Sequence, residues 1–152
     1  MSTKEQEQKT ILAIDYGTKA TGLALFTLGK DPFPMPYGKI KYIDDQQLCT
    51  EILKVIDDEV VDQLIIGLPL FTDGTESEMT KQVKKFAYQL HTMCSIPIIF
   101  QDETLTTYEA EQRMMNSPRY NFKVDPKQID ALAASIILED FLSNPNKGTP
   151  LE

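Results

Sequence analysis

The chain has 152 residues, 41% hydrophobic and 25% charged, the make-up of one globular domain with a sizeable core. Its 23 acidic against 15 basic residues leave a net charge of −8, so the whole-surface basic footprint of a nucleic-acid binder is absent; such binding would need cations gathered at a cleft. No apolar run reaches membrane-spanning length, MSTKEQEQKT carries no signal-type apolar stretch, and Cys49 and Cys94 lack metal-ligand spacing, so the expectation is a reduced, cytoplasmic protein with no membrane partner.

Residues 1–9 read as a disordered tail. TILAIDY (10–16) and TGLALFT (21–27) are short apolar strands separated by the YGTKA turn, as in a hairpin. DPFPMP (31–36) is too proline-rich for a strand interior and reads as a loop, and GKIKYI (38–43) alternates like an edge-ward third strand. Asp44 and Asp45 offer N-caps for a helix striped by Leu48, Ile52, Val55 and Ile56. DQLIIGL (62–68) is a buried-type strand ending in PLFTDG; Thr75 with Glu78 forms a capping box for a helix faced by Met79, Val83, Phe86, Leu90 and Met93. IPIIF (96–100) is a further buried strand, ending in Gln101-Asp102-Glu103, and Thr106 with Glu109 caps the next helix. After a polar loop (116–124), Asp125-Pro126 supplies an N-cap and a first-turn proline for a helix to about Leu142; SNPNKGTPLE (143–152) reads as a second disordered tail. Opening hairpins followed by helix-linked strands imply one α/β domain over 10–142, a mixed five-stranded sheet with helices on both faces.

Acids collect where such sheets bind ligands, at the carboxyl ends of parallel strands. Asp15 ends the first strand, Asp73 lies in the loop after the fourth, and Asp102 and Glu103 end the fifth. Asp130 shares the apolar stripe of the last helix with Ala133, Ala134, Ile137, Leu138 and Phe141 by i, i+3 and i+4 spacing. Each acid alone has an ordinary reading: Asp15 bonded to the turn amides of Gly17 and Thr18, Asp102 and Glu103 opening a loop, Asp130 paired with Lys123 or Lys127. Several acids on one rim point instead to a hard divalent cation, Mg²⁺ or Mn²⁺, of the kind used in phosphodiester hydrolysis. SPRYNFK (117–123) interleaves Arg119 and Lys123 with Tyr120 and Phe122. That is either a single-strand-binding pattern or a pair of aromatics covering the core edge. His91 reads as a surface residue.

Four blocks in order, IDYGTKATGLAL, IIGLPLFTDGTESEMTKQVKKFA, DETLTTYEAE and IDALAASIILEDFL, resemble the YqgF/RuvX family of Holliday-junction resolvases and pre-16S rRNA nucleases, over roughly 10–142. The resemblance implies an RNase H-like fold and a three-acid site in which Asp15, Glu103 and Asp130 are both catalytic and metal-holding. It also implies Gly17, Thr18, Pro69, Asp73, Gly74 and Asp102 shaping the cleft, and Lys19, Arg119, Lys123 and Lys127 as the nearby nucleic-acid contacts. Implied partners are structured RNA (precursor rRNA) or branched DNA, met by a monomer or homodimer. The departures all remove arginine or basic character: Ala20 follows D-Y-G-T-K where the family has arginine, Thr104 follows D-E where the family has arginine, and VDPKQ replaces a basic stretch. They keep open a weakly active or inactive relative acting as an RNA- or protein-binding module. An actin-like ATPase reading of D-x-G-T would need a second, equivalent half.

Overall fold

Alternation within the first apolar run sorts the core into two faces. The computed structural model describes residues 9–151; most of the expected N-terminal tail, residues 1–8, lies outside the described residues, as does Glu152. Strand β1 (Thr10–Asp15) sends Leu12 and Ile14 into one core cluster, and Ile11 and Ala13 into another on the opposite face. It pairs antiparallel with β2 (Ala20–Thr27), which pairs antiparallel with β3 (Met35–Lys41) at the edge. On its other side β1 runs parallel to β4 (Gln63–Leu68), and β4 parallel to β5 (Ile98–Asp102).

The first face is covered by α1 (Asp45–Glu59) and α2 (Glu78–Met93), whose stripes Leu48, Ile52, Ile56 and Val83, Phe86, Leu90 are buried. Each such side chain contributes about 1.5–3 kcal/mol on burial, enough to hold a helix that is polar on its other side. Helix α4 (Ile129–Ser143) covers the second face, and α3 (Thr106–Met115) packs on α4 through Ala110 and Met114. Every residue from Ala131 to Leu138 is buried, because α4 is sandwiched between the sheet and α3.

The mixed α/β architecture with helices on both faces is the one expected, with five local corrections. The sheet has six strands, in the order β3-β2-β1-β4-β5-β6. The sixth, β6 (Thr149–Pro150), lies in the segment read as a frayed tail. It pairs with β5, and Leu151 N–H donates to the Ile98 carbonyl at 3.0 Å, giving partners to an otherwise open edge. Pro36 is inside β3 and not in a loop, which the edge position and the register shift at Leu23/Ala24 accommodate. The cap of α2 is Ser77 with Thr80, in place of Thr75 with Glu78, since Thr75 is engaged by Asp73. Asp125 caps a turn that precedes α4, so the helix starts at Ile129 and Asp130 belongs to its first turn. Similarly Thr106 is the buried first residue of α3, whose N-cap is Leu105 in the left-handed region (φ 66°) with no side-chain cap.

At Gly22 the backbones of β2 and α4 touch. A Cβ there would stand 1.9 Å from the Asp130 carbonyl oxygen. Gly22→Ala must therefore displace the start of α4, and urea unfolding is expected to show a loss of about 2–4 kcal/mol.

Candidate active site

The register of the hairpin fixes the first acid. Asp15 pairs with Gly22, and paired residues share a face, so its half-buried side chain emerges on the α4 side at the carboxyl end of β1. After Asp15 the chain turns through Gly17, where a Cβ would lie 2.3 Å from the Ala20 carbonyl oxygen, and the turn is closed by Gly17 N–H donating to Thr21 Oγ1 at 3.3 Å.

The second acid comes from the end of β5. Glu103 N–H donates to the Leu68 carbonyl at 3.2 Å, and the Glu103 carbonyl accepts from Thr106 N–H at 2.9 Å. Gly67 leaves room for the side chain, since a Cβ there would stand 3.0 Å from the Glu103 carboxyl carbon. The carboxyl groups of Asp15 and Glu103 meet and share a hydrogen bond. Burial, with the nearby Asp130 charge adding to it, pushes Asp15 up to about 6 despite that hydrogen bond. Glu103 is held well above the usual carboxylate range, first by burial and then by the Asp15 charge.

The third expected acid is close without joining them. Asp130, half-buried in the first turn of α4, raises Asp15 through its charge alone. Among the described residues no three carboxylate, imidazole or thiol side chains come together as a complete metal-binding group. The donors present do suit a hard cation: two carboxyls pressed together, a third charge felt nearby, and none of the described ion pairs neutralising any of them. Gln101, two residues before Glu103 on the same strand face, adds a buried Oε1 with no partner.

The pair opens onto a cavity of about 310 Å³ lined by Asp15, Tyr16, Pro69, Leu70, Met79, Glu103 and Thr104 to Thr107. Pro69 is therefore at the cavity wall. Asp102 and Asp73 are elsewhere: exposed Asp102 accepts from Thr104 N–H at 2.8 Å and its Oγ1 at 2.6 Å, and exposed Asp73 accepts from Thr75 N–H at 2.9 Å. Gly74, with φ 86°, turns the same loop back, its N–H donating to the Phe71 carbonyl at 2.8 Å. Thr18 and Lys19 are exposed in the first turn, and Arg119, Lys123 and Lys127 are exposed around the loop before α4. In that loop Tyr120 packs against the α3–α4 cluster while Phe122 stays 61% exposed, so one aromatic covers the core edge and the other does not. Tyr16, beside Asp15, also lines the cavity. It is buried, and its hydroxyl donates to Asp45 Oδ1 at 2.7 Å and accepts from Gln82 Nε2 at 2.9 Å, tying β1 to α1 and α2 directly behind Asp15. Only the i, i+29 and i, i+66 partners reveal this, and no local pattern encodes them.

A mixed sheet of this order, with an acid pair at the carboxyl ends of its parallel strands, is an RNase H-like domain. The architecture matches that of a Thermus thermophilus RuvC in complex with a Holliday junction substrate, at a TM-score of 0.62 and 12% identity over 94% of this chain and 99% of that one. A second Thermus thermophilus RuvC structure gives 0.59 at 14% identity, covering 93% and 99%. Residues 9–144 match the RuvX family, described as Holliday junction resolvase, and the chain belongs to that family. Relatives include a Shewanella oneidensis protein named "Putative pre-16S rRNA nuclease", 37% identical over 90% of this chain and 95% of its own length. Another of that name, from Maridesulfovibrio salexigens, is 36% identical over 88% and 97%.

The raised acids make a stability prediction. Below the unfolded value of 3.8 Asp15 is protonated in both states; between 3.8 and about 6 the unfolded chain releases the proton first, so stability falls as pH rises and stays lower above that window. Asp15→Asn removes this cost, on the order of 2–3 kcal/mol at neutral pH. Thermal unfolding in EDTA is expected to place the variant several degrees above wild type at pH 7.5 and level with it near pH 3.5. A variant melting at or below wild type at pH 7.5 contradicts the assignment.

Proposed function

We infer that the protein is a metal-dependent endonuclease hydrolysing phosphodiester bonds in structured nucleic acid, with processing of the 5′ end of precursor 16S rRNA as its main role and Holliday-junction resolution as the lesser one. The observation that carries this reading is the buried Asp15–Glu103 pair, uncompensated by any described lysine or arginine, at the carboxyl ends of β1 and β5 in a RuvX-family chain. The relatives' names favour precursor rRNA over a DNA junction.

In this reading Asp15, Glu103 and Asp130 hold Mg²⁺ or Mn²⁺. The bound cation supplies charge neutralisation at the scissile phosphate and a more acidic water. The residues' own part is electrostatic. Asp15 and Glu103 would release their shared proton to solvent to offer anionic oxygens to the cation, with Asp130 of the first helical turn as the third carboxylate. Lys19, Arg119, Lys123 and Lys127 draw the phosphate backbone towards the rim, and Pro69 holds the opposite wall of the cavity. A cytoplasmic location and a monomeric or homodimeric state accompany this proposal.

A second reading, a weakly active or inactive member that binds RNA or protein, is favoured by one feature. Thr104 lines the acid cavity, and its hydroxyl is engaged with Asp102 where family members carry a guanidinium.

Cleavage of a precursor-16S 5′ segment with Mn²⁺ separates the two. Under the nuclease reading, Asp15→Asn and Asp130→Asn each lower the rate on the order of 10²–10³-fold while the fold is kept. Cleavage equal in wild type and Asp15→Asn marks a contaminant. Wild-type binding of the RNA without cleavage favours the second reading.

A further inference from the structure

The cations of this acidic chain are sorted by face. Those on α2 and α3 are mostly spent on ion pairs: Lys81 with Glu78, Lys84 with Glu76, and Arg113 with Glu109 and Glu139. At the α4 side of the sheet a different set gathers. In β3, Ile40 packs into the α1–α2 core, so Lys39 and Lys41 project from the other face, the one that carries Asp15. Lys41 pairs with Ala20 and Lys39 with Gly22, the residue that also pairs with Asp15 and touches Asp130. Lys39 Nζ donates to the Pro126 carbonyl at 3.4 Å, next to Lys127, and the Lys19 carbonyl accepts from Tyr42 N–H at 2.9 Å, next to Lys41. All four lysines are exposed, and none takes part in a described ion pair. Asp125 lies among them, accepting from Lys127 N–H at 2.9 Å and from Gln128 Nε2 at 2.6 Å, and beyond those hydrogen bonds the Lys127 and Lys39 charges help hold its carboxyl below the usual range.

We propose that Lys39 and Lys41, on the edge strand β3, form with Lys19 and Lys127 a phosphate-binding track that leads a nucleic-acid strand to the acid pair. The track rests on the nuclease reading and names the groups that would grip its substrate. Lysines act here as point charges, so the contact is with the backbone that RNA and DNA share, without base readout.

The test is fluorescence anisotropy in EDTA with two probes, a fluorescein-labelled RNA hairpin with single-stranded flanks and a labelled four-way DNA junction, across a salt series. Lys39→Gln/Lys41→Gln is expected to bind roughly tenfold more weakly, with a slope of log affinity against log salt shallower by roughly 1.4–1.8. Lys39→Arg/Lys41→Arg keeps the affinity, and Lys54→Gln/Lys85→Gln, on the helices of the opposite face, leaves affinity and slope as in wild type. Loss confined to one probe assigns the track to that nucleic acid. Unchanged affinity and slope in Lys39→Gln/Lys41→Gln, or an equal loss in the Lys54/Lys85 control, overturns the track, while cleavage by wild type keeps the nuclease reading. Wild-type protein that neither binds either probe nor cleaves ends both.

Discussion

The contact between Gly22 and the Asp130 carbonyl is the constraint from which the rest of the site follows. A strand and a helix ordinarily keep a side-chain layer between them; here the missing Cβ lets α4 start against the bare backbone of β2. Because Gly22 is also the register partner of Asp15, the same contact decides that an acid on α4 comes near an acid on β1. Gly67 repeats the device two strands away, on β4, clearing the space into which Glu103 folds. Two glycines thus bring carboxylates from three elements to one rim, at positions where any side chain would hold them apart.

That convergence works against the fold. Two carboxyls buried against each other retain a proton well above the pH at which free carboxylates lose theirs, and at neutral pH the pair destabilises the folded state. The core offsets it: both sheet faces are filled, and α4 is buried along Ala131–Leu138. Departures of this kind are what functional sites in otherwise consistent structures carry. Beside it, the backbone of Leu105 holds a left-handed conformation at the cavity rim with its side chain 66% exposed, a second departure that packing alone does not require.

The elements that periodicity defines were legible: the apolar strands, the stripes of α1 and α2, and the unbroken burial of α4. Asp15 and Glu103 were legible as acids at strand ends, and Asp130 as an acid on an apolar stripe. What stayed hidden depends on choices between local competitors or on register. Thr75 and Ser77 both qualify as a cap, and the Asp73 turn takes the first, leaving the second to α2. Thr149–Pro150 has no strand pattern, and it pairs because β5 offers an edge. Asp73 looked like a rim acid from its place after β4, yet a bond two residues away to Thr75 outcompetes the longer reach. The placement of Lys39 and Lys41 needed the β2–β3 register, in which a one-residue slip would send both to the opposite face.

Net charge and site charge answer different questions. At physiological ionic strength charges are screened over about 8 Å, so a phosphate at the rim responds to the nearest lysines and carboxylates far more than to the sum of −8. Thr104, where the sequence resemblance implies an arginine, bears on the site in two opposite ways. A guanidinium in the acid cavity would grip phosphate, and it would also neutralise Asp15 and Glu103 and lower their raised proton affinity. Thr104 does neither, since its hydroxyl is bonded to Asp102. Among the described residues no ion pair neutralises the acid pair, which is the environment in which an external cation is favoured. The lysines nearest in register to the acids are on the edge strand, which is where the proposed phosphate contacts lie.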